Sequence, residues 1–295
     1  MNHLTTSSTP ASPLHVPTRR FGSTQQQVSS IGQGTWMIEE RASQAVAAIQ
    51  SGMDRGLTHI DTAEMYGNGA AERLVAHAIK GRREQVFLVS KVLPTNASRS
   101  GTLKACEASL QRLGTDYLDC YLLHWRGAHP LAETFDAFET LKQQGKIRSY
   151  GVSNFDVDDL DETLSLLGPG KLACNQVLYH LQERAIEHAV IPWCERNDVA
   201  VVAYSPFGHN VFPSSASKGG DVLTKLAAEH SITPQQLALA FLSREGHVFP
   251  IPKSVNLTHI EANARAANLK LSSGAIAALD AAFPRGRKPR RLPTI

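Results

Sequence analysis

Short apolar runs and stretches of helical periodicity alternate from residue 31 almost to residue 283. The runs fall at 31–36, 57–61, 86–92, 117–124, 147–152, 172–177, 199–204 and 248–252, each of strand length. The run at 86–92 is nearly continuous (Val86, Phe87, Leu88, Val89, Val92), as expected of a parallel strand covered on both faces. Between the runs, apolar residues recur every three or four positions. Examples are Val46, Ile49 and Met53 within 41–55, Leu103, Cys106, Leu110 and Leu113 within 102–113, and Leu131, Phe135, Phe138 and Leu141 within 131–144. Gly56, Gly81, Gly114 and Gly145 stand just past helical stretches, where helices commonly end. Further helices are expected over 70–80, 156–167, 183–196, 221–230, 234–244, 258–267 and 273–283. Eight strands alternating with helices predict an α/β fold, a (β/α)8 TIM barrel forming one domain over residues 18–295. Residues 18–30 read as an N-terminal β-hairpin around Gly22 and Ser23 that caps the barrel bottom. Residues 1–17, rich in Ser, Thr and Pro, read as a flexible tail.

The apolar runs end in polar side chains: Ile60-Asp61 and then Tyr66; Val89-Ser90-Lys91; Leu122-Leu123-His124; Val152-Ser153-Asn154; Asn175-Gln176; Val202-Ala203-Tyr204. A parallel barrel builds its site at this C-terminal rim. Tyr66 is a weak acid that a nearby ammonium is expected to strengthen by favouring the phenolate. Lys91 interrupts a buried strand and can play that part, with Asp61 as the counter-charge a buried lysine needs. His124 could donate a hydrogen bond to a carbonyl oxygen. Ser153, Asn154 and Gln176 offer neutral donors and acceptors suited to a planar carboxamide, and Tyr204 offers a ring on which to stack. Each residue alone has a structural alternative: a loop aromatic, a turn or cap residue, a strand-end histidine, a helix cap. Their recurrence at successive strand ends favours a site for protonating a carbonyl oxygen as hydride arrives.

Composition narrows the partners. The 295 residues carry a formal charge of only +3, too little to argue for nucleic acid or a membrane surface. No apolar stretch reaches the roughly 20 residues of a membrane span. Cys106, Cys120, Cys174 and Cys194 form no paired motif and sit in apolar patterns, which suggests reduced core residues and a cytoplasmic location. Gly32-Gln33-Gly34-Thr35-Trp36 is not a GxGxxG turn, so no Rossmann fingerprint is read there. Phosphates are expected instead on the loop 205–210 and on Lys253-Ser254, at the start of a helix. His180, Glu183 and His188 lack the spacing of a ligand set, and no metal is expected. The basic stretch from Arg285 to Arg291 reads as a solvated tail.

In this order the motifs resemble the aldo-keto reductase superfamily. The matching stretches are Gly32-Gln33-Gly34-Thr35-Trp36, Ile60-Asp61-Thr62-Ala63-Glu64-Met65-Tyr66-Gly67, Val89-Ser90-Lys91-Val92, Leu122-Leu123-His124-Trp125, Gly151-Val152-Ser153-Asn154-Phe155, Asn175-Gln176, Tyr204-Ser205-Pro206 and Ile251-Pro252-Lys253-Ser254. The detail after His124 resembles a bacterial branch that includes small-aldehyde and methylglyoxal reductases. The resemblance implies an NADPH-dependent reductase of small aldehydes or α-oxo carbonyls, with Asp61, Tyr66, Lys91 and His124 as catalytic tetrad and Tyr66 as general acid. It implies that Ser153, Asn154 and Gln176 hold the carboxamide, that Tyr204 stacks on the nicotinamide and that Ser205 meets the pyrophosphate. Lys253, Ser254, Asn256 and His259 would lie about the 2′-phosphate and Asn263 at the adenine. Gly34, Thr35 and Trp36 would border the cofactor, and Trp36, Met65 and Trp125 the substrate.

Two positions depart from the family pattern. His259 stands where many NADPH-preferring members carry arginine, and Ala262 where they carry an acid. Imidazole lacks the bidentate fork of a guanidinium, so NADH use stays open beside NADPH. Only residues 284–295 follow Phe283, a short tail that suggests an open pocket. The expected partner is a small-molecule carbonyl and the expected state a monomer. The alternative from another class is a nucleotide-sensing regulatory barrel with little reductase activity.

Overall fold

The structure, a computed structural model, describes residues 15–209 and 211–295. An antiparallel hairpin, β1 (Thr18–Arg20) and β2 (Gln27–Ser29), comes first. The parallel strands follow as β3 (Gln33–Gly34), β4 (His59–Asp61), β5 (Phe87–Val92), β6 (Leu118–Leu123), β7 (Ile147–Ser153), β8 (Leu172–Leu178), β9 (Ala200–Tyr204) and β10 (Val248–Pro250). The helices are α1 (Ala42–Asp54), α2 (Ala70–Ile79), α3 (Arg99–Leu113), α4 (Leu131–Gln143), α5 (Val157–Leu167), α6 (Val190–Arg196), α7 (Lys218–Glu229), α8 (Pro234–Leu242), α9 (Leu257–Ala266) and α10 (Ser273–Ala282).

Strands β3 to β10 pair in sequence order, all parallel. The sheet then meets itself. Gly32 N donates to Pro250 O at 2.9 Å, Gly34 N to Pro252 O at 3.1 Å, and Gly34 bridges Lys253. A Cβ at Gly34 would lie 2.7 Å from the Ile251 carbonyl oxygen, so only glycine lets the seam close so tightly. The result is the α/β TIM-barrel architecture. Several expected elements are shorter, two of them markedly. Of 31–36 only Gln33–Gly34 pair as strand, because the glycines that allow closure supply no side chains to extend it. Of 183–196 the helix begins at Val190, after a 3₁₀ turn at Ala185–His188.

Between the sheet and its helices lies one apolar layer containing Ile49, Val75, Leu88, Leu110, Tyr121, Phe138, Val177 and Leu223. Inside the barrel a smaller cluster joins Phe21 to Phe87, Val89, Cys120, Leu122, Cys174, Val202 and Phe249. Phe21, at the turn of the hairpin, sits 4.8 Å from the Phe87 ring and 5.1 Å from the Phe249 ring, so the hairpin plugs the N-terminal end of the barrel. That leaves the opposite rim for chemistry. All four cysteines are free and buried. Residues 1–14 of the expected tail lie outside the described residues, while Val16 is fully buried against the cluster of Ile31, Leu57 and Leu239. Among the described residues no helix is long and apolar enough to cross a membrane.

Candidate active site

The parallel register sets the strand ends side by side: Gly34 beside Asp61, Asp61 beside Val89, Lys91 beside Leu122, and Ser153 beside Gln176. Lys91 points into the barrel with no exposed surface. Its ammonium donates to Asp61 Oδ1 at 2.6 Å, to the Thr62 carbonyl at 2.9 Å and to Tyr66 Oη at 3.2 Å, which uses all three of its N–H groups. Asp61 is equally engaged. Its Oδ2 accepts from Gln176 Nε2 at 2.7 Å, and its carbonyl accepts from Thr35 Oγ1 at 2.9 Å. A buried charge is tolerable only with such pairing.

The electrostatics follow from this enclosure. Burial alone pulls the Lys91 ammonium down, but Asp61 and Tyr66 outweigh it and hold the pKa above its ordinary value. For Tyr66 the expected direction is corrected. Lys91 does favour the phenolate, but burial and the Asp61 charge favour the phenol more, so the pKa is raised rather than lowered. Tyr66 therefore stays protonated through neutral pH. Burial, then the Lys91 charge, pushes His124 down to about 2, so the imidazole is neutral. Its ring meets that of Tyr66 edge-on at 5.7 Å, and its Nδ1 is buried without a partner.

On the next strands, Ser153 Oγ and Asn154 N both donate to the Gln176 carbonyl, at 2.9 and 2.8 Å. Asn154 adopts a left-handed φ of 61° and accepts from Tyr204 Oη at 2.8 Å. These contacts fix both side chains along one wall. Burial raises the Tyr204 phenol to about 12. Ser205 also has a positive φ, of 50°, where the chain turns off β9.

These groups surround a cavity of about 180 Å³. Its walls include Gly34, Thr35, Trp36, Asp61, Met65, Tyr66, His124, Trp125, Ser153, Asn154, Gln176, Tyr204, Ser205 and Lys253. The mouth is apolar: Trp36, Met65 and Trp125 keep 37–38% of their surface exposed. Ser254, Asn256, His259 and Asn263 lie outside this cavity. Asn256 caps α9, accepting from Thr258 N at 2.8 Å and His259 N at 3.3 Å, and Ser254 Oγ accepts from Asn256 N at 3.1 Å. Asn263 is buried one turn further on, whereas Lys253, Asn256 and His259 are exposed.

The family model for the Aldo/keto reductase family matches residues 30–283. The chain belongs to the aldo/keto reductase family. Membership makes it an NAD(P)H-dependent oxidoreductase acting on carbonyl groups. The reductase is 46% identical over 258 residues to the methylglyoxal reductase YeaE of Escherichia coli strain K12, covering 86% of this chain and 91% of that relative. It is 29% identical over 261 residues to the methylglyoxal reductase DkgB of Escherichia coli O157:H7, covering 86% and 93%. It superimposes on the crystal structure of an aldo-keto reductase from Klebsiella pneumoniae in complex with NADPH with a TM-score of 0.88 at 43% identity, covering 95% of this chain and 100% of that one.

Sequence reasoning missed several contributors in this reductase. Pro206 and Ile251 complete the cavity walls, as does Ile295 from the tail. No periodic pattern marks the tail's return. The Gln176–Asp61 bond was also unforeseen, since nothing in the spacing tells which residue a buried amide will face.

Proposed function

We propose that this reductase uses NADPH to reduce small aldehydes or α-oxo carbonyls of the methylglyoxal kind to alcohols, with Tyr66 as general acid. The observation that carries the reading is the chain Asp61–Lys91–Tyr66 ending at a cavity that His124 also faces. Support for the nicotinamide end comes from the polar side chains that line the cavity: Ser153, Asn154 and Gln176 would hold the carboxamide, and the Tyr204 ring would take the stacking face. Ser205 would meet the pyrophosphate, Lys253, Ser254, Asn256 and His259 the 2′-phosphate, and Asn263 the adenine. Gly34, Thr35 and Trp36 would border the cofactor. Trp36, Met65 and Trp125 would pack on the substrate. When bound, NADPH supplies the hydride.

The side chains do the rest. His124, neutral and with Nδ1 orphaned, is best served by keeping its proton on Nε2, from which it donates to the substrate oxygen and orients it. Tyr66 then delivers its phenolic proton to that oxygen. Lys91, held charged by Asp61, stabilises the phenolate left behind. Gln176 keeps the Asp61 carboxylate from rotating away, and Thr35 holds its backbone carbonyl. The buried free cysteines support a cytoplasmic location.

The test is oxidation of NADPH and of NADH against a panel of aldehydes that includes methylglyoxal. Turnover of small α-oxo aldehydes, faster with NADPH, is the expected result. Tight NADPH binding with negligible turnover of every aldehyde would replace this reading with a nucleotide-sensing barrel.

A further inference from the structure

We infer that Arg112 is a positioning residue for the general acid: it seats the turn that carries Tyr66 against the strand that carries Lys91. This rests on Tyr66 being the acid. Catalysis needs the phenol held beside the Lys91 ammonium, and the two side chains come from different elements. Tyr66 opens the 3₁₀ turn Tyr66–Gly69 that leads into α2, while Lys91 lies on β5. The turn's own hydrogen bonds, Tyr66 N to Ala63 O and Asn68 N to Met65 O, are local and do not fix it against β5. Gly67, Asn68 and Gly69 have positive φ, at 55°, 50° and 79°, and the two glycines bring no side chains with which to anchor it there.

The contacts that anchor the turn are specific. A Cβ on Gly69 would fall 2.4 Å from Arg112 Cδ and 2.5 Å from Arg112 Nε, so the Arg112 side chain lies directly on the turn. On its other flank a Cβ on Gly67 would fall 2.8 Å from Glu39 Cδ. Arg112 Nε donates to Glu72 Oε2 at 2.5 Å, and its Nη2 donates to Ser109 Oγ at 3.0 Å. Glu72, in the first turn of α2, has no exposed surface. Its Oε1 accepts at 2.6 Å from the hydroxyl of Ser90, the residue next to Lys91 on β5. The start of α2 is thus tied to Lys91's own strand from behind, through a buried carboxylate. Among the described residues Arg112 is the only cation in ion-pair contact with it. Without Arg112 that carboxylate is left buried and uncompensated, the space beside Gly69 empties, and the turn is free to move the Tyr66 hydroxyl off Lys91. Arg112 touches neither cavity nor reacting atoms and acts through Tyr66 alone.

The test measures Arg112→Met, Arg112→Lys and Glu72→Gln for single-turnover hydride transfer, for NADPH affinity, and for the Tyr66 Oη–Lys91 Nζ distance in crystals. Displacing a catalytic group by about 1 Å can cost about 100-fold, so Arg112→Met should lose about 10- to 100-fold in rate with NADPH affinity nearly unchanged. Arg112→Lys, which keeps the charge, should recover part of the loss. The hydroxyl-to-ammonium distance should open beyond about 3.5 Å in Arg112→Met. If that variant does not fold, Glu72→Gln and Arg112→Lys carry the test with the same readouts. A folded variant with wild-type rate and an unmoved hydroxyl, even at lower thermal stability, overturns the inference. A displaced hydroxyl with an unchanged rate supports the positioning and instead overturns Tyr66 as the acid.

Discussion

Two buried histidines sit at opposite ends of the barrel. His59 begins β4 at the plugged end, and burial, then the Lys91 charge, pushes it to about 3. His124 follows β6 at the open end, where the same two causes in the same order push it to about 2. Their electrostatics are nearly interchangeable. Their access is not. The His59 ring is closed in edge-on by Phe21 at 5.8 Å and Phe87 at 5.4 Å, with both nitrogens lacking partners. The His124 ring lines the cavity beside Tyr66. A perturbed histidine therefore does not mark a site by itself; the opening on to a cavity with a matched acid does.

The comparison can be broken most sharply at the group common to both ends. Lys91→Met removes the charge that acts on each histidine and leaves Asp61 buried against Gln176 alone. Loss of one partner of a buried pair costs about 3–5 kcal/mol, which denaturant unfolding would register, and the rate should fall by about 10³-fold. Next in size, His124→Gln should lower carbonyl reduction by about 100-fold while NADPH titration changes little. Equal loss in His59→Leu would erase the distinction between the two ends. A smaller effect belongs to the exposed end proposed for the 2′-phosphate: Lys253→Ala should weaken NADPH binding by about tenfold, roughly 1.4 kcal/mol, and leave NADH binding unchanged.

The smallest effect on turnover, and the clearest on stability, comes from pH. A histidine whose folded pKa is depressed binds its proton more readily when unfolded, so stability is complete above about pH 6.5 and falls as pH drops toward the folded value of about 3. His59 should cost about 2 kcal/mol by about pH 5, a loss that His59→Leu removes without changing turnover. Thermal unfolding from neutral pH to pH 5 measures it. With Tyr66 as the proposed acid, the phenol would be the active species in reduction, so its raised pKa predicts a rate that declines only on the alkaline side.

Much of this was legible along the chain because barrel strands impose a simple rule: an apolar run, then a polar side chain at the rim. Asp61, Lys91 and His124 follow it directly, and Tyr66 lies five residues beyond Asp61. What stayed hidden depends on the third dimension. Charge counting suggested that Lys91 would acidify Tyr66, but burial is not written in the neighbours of one residue, and it wins. Ile295 joins the cavity only because the tail folds back. Glu72 did leave a signal, an acid on the face of α2 that also buries Ala71, Val75, Ala78 and Ile79, yet its partners Ser90 and Arg112 come from two other elements.

The central claim is that Tyr66 delivers the proton. Tyr66→Phe keeps the ring against His124 and removes only the hydroxyl, so single-turnover hydride transfer from NADPH to methylglyoxal, measured beside NADPH affinity, tests it directly. The account predicts a rate lower by about 10³-fold with NADPH affinity nearly unchanged, and a rate within about tenfold of wild type would contradict it.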